Sequence, residues 1–141
     1  MKRAGYSLIE ILAALAVAAF FLTTAAMSLS GLQDKIHLHR AVWEVGSRLN
    51  YARYKSLAEG CPIRVRFSAG GYAVEIYDPD LEVWRPDRRG VLDRVSVAAN
   101  NTPMFHPSGT VSHMATIRLE NGRGRYRITV AITGRIRVVR E

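Results

Sequence analysis

Ile11-Leu12-Ala13-Ala14-Leu15-Ala16-Val17-Ala18-Ala19-Phe20-Phe21-Leu22 is an unbroken apolar run, and it stands directly behind Met1-Lys2-Arg3-Ala4-Gly5-Tyr6-Ser7-Leu8-Ile9-Glu10. No charged residue occurs from 11 to 33. As a helix rising ~1.5 Å per residue, that stretch is about 35 Å long. A hydrocarbon core of about 30 Å is crossed by such a helix with slight tilt. Lys2 and Arg3 hold the start of the chain on the cytoplasmic side, so the remainder is expected to be exported. The competing reading is a removable secretory signal with Thr24-Ala25-Ala26 near its cleavage site. Glu10 argues against it. A charged side chain costs about 2.5–3.5 kcal/mol at the centre of a membrane helix and less toward its ends. A discarded signal gains nothing from that cost, whereas an intramembrane carboxylate usually has a partner, and the obvious one is an amine.

Outside this segment the chain is charged and small. Its 141 residues weigh 15.7 kDa, and removing the apolar stretch leaves roughly 110–120 residues for a water-soluble core. That is one small domain, which excludes a multidomain enzyme. Hydrophobic residues at 48% against charged residues at 23% exclude wholesale disorder. The net charge is +8, and 17 of the 20 basic residues are arginine, whose forked donors favour carboxylate and phosphate partners. Cys61 stands alone in the sequence. It can form neither an intrachain disulfide nor, within one chain, a thiolate metal cluster, and it reads as a small buried residue beside a strand.

From Asp34 the pattern turns amphipathic. Leu38, Val42, Val45, Leu49 and Ala52 recur as one helical stripe, flanked by Lys35, Arg40, Glu44, Arg48, Arg53 and Lys55. Gly60-Cys61-Pro62 ends the helix, because glycine caps and proline cannot continue. Residues 62–67 alternate like a half-buried strand, Gly70-Gly71 turns, and residues 72–77 return as a hairpin. Asp78-Pro79-Asp80 and the charged stretch 85–90 read as loop, with a strand near residues 91–97. Asn100-Asn101-Thr102-Pro103 is a turn. Residues 116–120 and 126–132 form a second hairpin around 121–124, and residues 135–140 a final strand after Thr133-Gly134. The expected fold is α+β: a long N-terminal α-helix, membrane-spanning in its first half and amphipathic in its second, packed on an antiparallel β-sheet.

Gly5-Tyr6-Ser7-Leu8-Ile9-Glu10, with its short basic leader and the apolar run behind it, resembles the type IV prepilins and the pseudopilins of type II secretion. The resemblance implies that a membrane prepilin peptidase cuts after Gly5 and methylates the new amino terminus at Tyr6. Tyr6 replaces the usual phenylalanine and keeps the aromatic ring. Glu10 then pairs with the terminal amine of a neighbouring subunit during assembly. Residues 49–58, Phe105-His106-Pro107-Ser108-Gly109 and Gly134-Arg135-Ile136-Arg137 are similar to one branch, the GspH/FimT-type minor pilins and pseudopilins. Many members carry a cysteine pair that this chain lacks. The resemblance implies a leader at 1–5, a filament-core helix at 6–33, its amphipathic continuation at 34–60 and a periplasmic β-rich domain at 61–141. It implies a non-enzymatic subunit of the bacterial inner membrane, crossing once, with its C-terminal domain in the periplasm or on an extracellular filament. Its partners would be other pilin or pseudopilin subunits, with no cofactor.

The titratable residues form no catalytic constellation. His37 and His39 are two apart on a helix and diverge. His106 and His113 have no nucleophile at a known motif spacing. Asp78, Asp80 and Glu82 lack the glycine and the later bidentate glutamate of a known calcium loop, so no metal site is expected. The arginines carry more. Seven of them (118, 123, 125, 127, 135, 137, 140) face two acids between Arg118 and Glu141. On strands with their apolar faces inward, Arg125, Arg127, Arg135 and Arg137 share an exposed face. Such a face meets acidic neighbours, or binds a phosphate backbone by charge. The resemblance to FimT-like members, which use a matching arginine ending to capture DNA for uptake, adds DNA as the alternative partner.

Overall fold

The computed structural model describes residues 7–141 and, within them, every side chain except those of residues 24–31. Gly5 and Tyr6 lie outside the described residues. The chain divides into two compact units, Met1–Gln33 and Asp34–Glu141, and the helix α1, Leu8–Glu59, contributes to both.

In the first unit the α1 backbone starts from Ser7, whose carbonyl accepts the N–H groups of Glu10 (3.0 Å) and Ile11 (3.2 Å). Glu10 sits in the first helical turn, where a carboxylate also favours the helix dipole. Leu8, Leu12, Leu15, Phe20, Phe21 and Leu22 are each more than half exposed, so residues 8–23 bury little apolar surface among themselves. Among the described residues no helix is long and apolar enough to cross a membrane. The apolar stretch with described side chains, residues 8–23, reaches about 24 Å at ~1.5 Å per residue. The expected span of 11–33 continues into residues 24–31, whose side chains lie outside the described residues.

The second unit is α+β and its strand pairings are all antiparallel. Nine strands follow the helix: β1 (Ile63–Ser68), β2 (Gly71–Asp78), β3 (Val83–Val91), β4 (Ser96–Ala99), β5 (Met104–Phe105), β6 (Val111–Ser112), β7 (Ala115–Asn121), β8 (Gly124–Val130) and β9 (Ile136–Arg140). They form one sheet in the order β3-β2-β1-β5-β6 and a second in the order β4-β7-β8-β9. The amphipathic stripe, Leu38, Val42, Val45, Leu49 and Ala52, is buried as its periodicity predicts. It shares one core with Ile63, Val65 and Val74 of the first sheet and Ile117, Leu119, Ile128 and Val130 of the second. Gly60, at φ 67°, ends the helix, and its N–H donates to the carbonyl of Ser56 (3.1 Å). The buried Ser56 hydroxyl is shared between the carbonyls of Cys61 (2.8 Å) and Phe105 (3.0 Å), which ties the helix end to β5.

Two expectations change. The charged stretch 85–90 is strand, not loop: it lies inside β3, which pairs with β2 from Asp78↔Val83 to Gly71↔Val91 across a bulge at Val74/Glu75. β3 is the outer strand of its sheet, where proline and charge are tolerated because one row of backbone groups faces water. The strand placed near 91–97 is shorter and later, Ser96–Ala99, because Val91 still belongs to β3 and Arg94 turns the chain at φ 56°.

Candidate functional site

The β7–β8 hairpin and β9 carry the arginines. In this register Arg118 faces Arg127, Glu120 faces Arg125, and Thr129 faces Arg137. Ile128 and Val130 on the alternate positions are buried in the core, so Arg125, Arg127 and Arg137 stand exposed on the outer face, with Arg135 exposed just before β9. The four residues therefore occupy one side of the sheet, as the alternation predicts.

Their electrostatics divide them. Arg125 Nε donates to Glu120 Oε2 at 2.7 Å, and Arg127 Nε lies 3.2 Å from Glu141 Oε1. Glu141 is also anchored through its N–H, which donates to the Arg125 carbonyl (3.0 Å). Among the described residues Arg135 and Arg137 form no ion pair. They line a groove of about 560 Å³ together with Asn100, Asn101, Thr116 and Thr129. Both amides are committed locally: Asn100 Oδ1 accepts the Thr116 N–H (2.7 Å), and Asn101 Nδ2 donates to the Met114 carbonyl (3.0 Å). The groove thus offers two forked cations, suited to an anion, in a mixed wall that also carries Met114, Ala115, Val130 and Ala131.

The glycine of Gly134-Arg135 has a steric reason. Its φ is 74°, and a Cβ there would meet Arg53 Nε at 2.8 Å and the Gly109 carbonyl at 3.0 Å. Gly134 therefore lets the chain pass over Arg53 and place Arg135 at the mouth of the groove.

Sequence reading counted Glu120 and Glu141 without pairing them, and it missed the partners of Glu75 and Asp87. Glu120 and Glu141 halve the free charge of the patch. The first was legible, since a hairpin closing at Asn121↔Gly124 sets 120 opposite 125. Glu75 is buried (6% exposed) on the outer face of the first sheet, held by Arg64 Nε (2.6 Å) and Arg66 (2.9 Å). Arg64 in turn lies 4.2 Å from the Trp84 ring centre. Asp87 of β3 accepts from Lys55 Nζ (2.8 Å) and Tyr51 Oη (2.8 Å) of the helix. Burial works against the Asp87 carboxylate, but the Lys55 and Tyr51 hydrogen bonds outweigh it and hold it below the usual aspartate range, while the hydrogen bonds that Lys55 donates to Asp87 and to Tyr51 Oη (3.0 Å) raise Lys55.

The remaining candidates have local duties. Asp78 caps the turn by accepting the N–H groups of Asp80 (3.1 Å) and Leu81 (3.3 Å), and it pairs with Arg85 (2.9 Å). Among the described residues no group of three His, Cys, Asp or Glu is arranged to hold a metal. His37 lies 3.7 Å from Asp93, and His39 stands edge-on to Tyr126. His106 Nε2 meets Ser112 Oγ at 2.6 Å across the short β5–β6 hairpin, a contact invisible in sequence because the two approach only through strand pairing. Burial raises the Cys61 thiol, so it is no activated thiolate.

A family model described as "Type II transport protein GspH" matches residues 41–134. Two structures of the minor pseudopilin EpsH from the Type 2 Secretion System of Vibrio cholerae share the fold. One matches with a TM-score of 0.64 at 13% identity, covering 74% of this chain and 97% of that one. The other matches with a TM-score of 0.63 at 12% identity, covering 73% and 93%. Among curated proteins, none matches the chain in sequence.

Proposed function

Because the chain belongs to the GspH family of type II transport proteins, we propose that it is a minor pseudopilin or pilin, built by its N-terminal helix into the pseudopilus of a type II secretion system or a related type IV pilus. One observation carries this reading. The described side chains of residues 8–23 are exposed on every side of the helix, aliphatic and aromatic alike. A helix apolar all round is stable only among lipid tails or other apolar helices. Residues 6–33 would serve as inner-membrane anchor and then as filament core, and residues 34–141 would lie in the periplasm or on an extracellular filament. The leader would be removed by prepilin peptidase after Gly5, with methylation at Tyr6. Glu10, at the entrance of the apolar run, would meet the new amine of a neighbouring subunit, so that assembly removes two unpaired charges from lipid. The work is structural, with no catalytic step.

The test is Glu10→Ala in the native host. Leader cleavage should remain intact while incorporation into sheared filaments falls several-fold. Normal incorporation would overturn the pairing role. A mature terminus far beyond Tyr6, read by mass spectrometry, would overturn the whole reading in favour of a cleaved secretory signal.

A second reading rests on Arg135 and Arg137, the members of the arginine face that form no ion pair among the described residues. They would hold a DNA phosphate backbone without reading bases. Binding of the full chain to duplex DNA should then be salt-sensitive. Arg135→Ala with Arg137→Ala should flatten the logarithmic salt slope by about 0.9 for each phosphate no longer neutralised, and an unchanged slope would exclude it.

A further inference from the structure

The second sheet ends in an open strand. Among the described residues, β9 pairs with β8 on one side and has no neighbour on the other. The N–H of Glu141 donates to Arg125, and that of Ala131 to the carbonyl of Arg135. Odd-numbered residues of this segment therefore bond inward to β8, and alternation turns the N–H and C=O groups of Ile136, Val138 and Arg140 outward along the free edge. By contrast β3, an outer strand of the first sheet, is guarded by Pro86 and by Arg85, Asp87, Arg88 and Arg89. The β9 sequence Ile-Arg-Val-Val-Arg has no proline.

Beside this open edge lies a groove of about 740 Å³, between β9 and the helix face turned away from the core. Trp43, Gly46, Asn50 and Tyr54 line it at helical spacing, and Val138 closes it from the strand side. Trp43 is 76% exposed, Tyr54 65% and Val138 45%. Exposed aromatics such as Trp43 and Tyr54 are costly to leave wet and are typical anchors of a binding surface.

We propose that β9 and this groove form a strand-addition site for an extended segment of another protein, alternating apolar and acidic residues. Its backbone would pair with the outward groups of Ile136, Val138 and Arg140. Alternate side chains would then drop onto Trp43 and Tyr54, while the others pass along the outer face beside Arg137 and Arg135. Charge selects this occupant. Arg135 and Arg137 on the outer face meet no acid among the described residues, and the net charge is +8. A second copy would bring a like-charged surface, and a two-fold register centred on Val138 would set the two Arg137 side chains diagonally across the seam. The site lies within residues 34–141 and holds whichever filament carries the protein.

The experiment uses the full chain in non-ionic detergent micelles, with Trp43 fluorescence as reporter in a Trp84→Phe background. The probe is a nine-residue peptide alternating valine and glutamate. It should bind at least tenfold more tightly than a peptide of the same composition in block order, and than one alternating valine and lysine. Val138→Pro removes an outward N–H without removing a ladder bond to β8, and should weaken binding tenfold or more. Trp43→Ala, scored by calorimetry, should do the same. Should Val138→Pro fail to fold, peptides N-methylated at alternate residues decide without altering the protein: one of the two registers should lose binding and the other keep it. Equal binding of all peptides, or insensitivity to both substitutions and both N-methylated registers, overturns the proposal. Self-association that Val138→Pro abolishes and the peptide does not compete with overturns the assigned occupant.

Discussion

Gly134 and Glu75 show how single residues hold this molecule's shape. Gly134→Ala would force a Cβ at φ 74° against Arg53 and the Gly109 carbonyl. It should cost about 1–3 kcal/mol, while Gly122→Ala, with open space around it, should stay within about 0.5 kcal/mol. Urea melts of the two variants compare them directly. Glu75 carries a different load. Glu75→Ala leaves Arg64 and Arg66 without their carboxylate. Because Arg66 is largely exposed, the loss should be about 2 kcal/mol rather than the ~3–5 of a wholly buried pair. That corresponds to a fall in Tm of about 10 °C for a unit of this size. Sequence alternation places Glu75 on the polar face of β2. It does not reveal that Arg64, Arg66 and Trp84 close over it, because that requires three strands in register.

At the scale of elements, the helix is joined to β3 by Lys55, Tyr51 and Asp87, and this joint responds to pH on both sides. Asp87 is depressed by its hydrogen bonds from Lys55 and Tyr51. Its stabilisation is present above the unfolded value of about 3.9 and is lost as pH falls through the lower folded value. Lys55 is raised, so its stabilisation is complete below its unfolded value of about 10.4 and is lost only as pH climbs beyond that. Thermal melts should therefore show a plateau in this joint's contribution between about pH 4 and 10. Asp87→Asn should flatten the acid limb relative to the native chain, and an unaltered limb would show that Asp87 takes no part in it. The helix also rests on its stripe. Leu49 is fully buried, and Leu49→Ala should cost about 2–5 kcal/mol, whereas Asn50→Ala on the groove side should change stability by less than about 0.5 kcal/mol. The stripe was legible because a helix facing one core repeats its apolar residues every three or four positions. β3 was not, because an outer strand need bury neither face and can carry proline and arginine.

For the whole molecule, the division into residues 1–33 and 34–141 separates two kinds of surface. The first exposes leucine and phenylalanine; the second closes its own core. A fragment beginning at Asp34 should therefore remain monomeric in plain buffer and melt cooperatively by circular dichroism. The full chain should require detergent or lipid to avoid aggregation. Aggregation of the fragment would show that the second unit does not close its own core.

By itself the amino-acid sequence determined the fold class, the buried stripe of the amphipathic helix, the two long hairpins and the outward arginines. Each of these follows from a local period of two or of three to four, set by backbone geometry. It also carried the leader, the apolar run and Glu10, the features on which the family resemblance rests. Only the tertiary structure decided which arginines keep a free charge, since Arg125 and Arg127 meet Glu120 and Glu141 across strand pairs while Arg135 and Arg137 open onto a groove. The burial of Glu75 and the open edge of β9 beside Trp43 likewise depend on neighbours distant in the chain, and no local period encodes which strand ends a sheet.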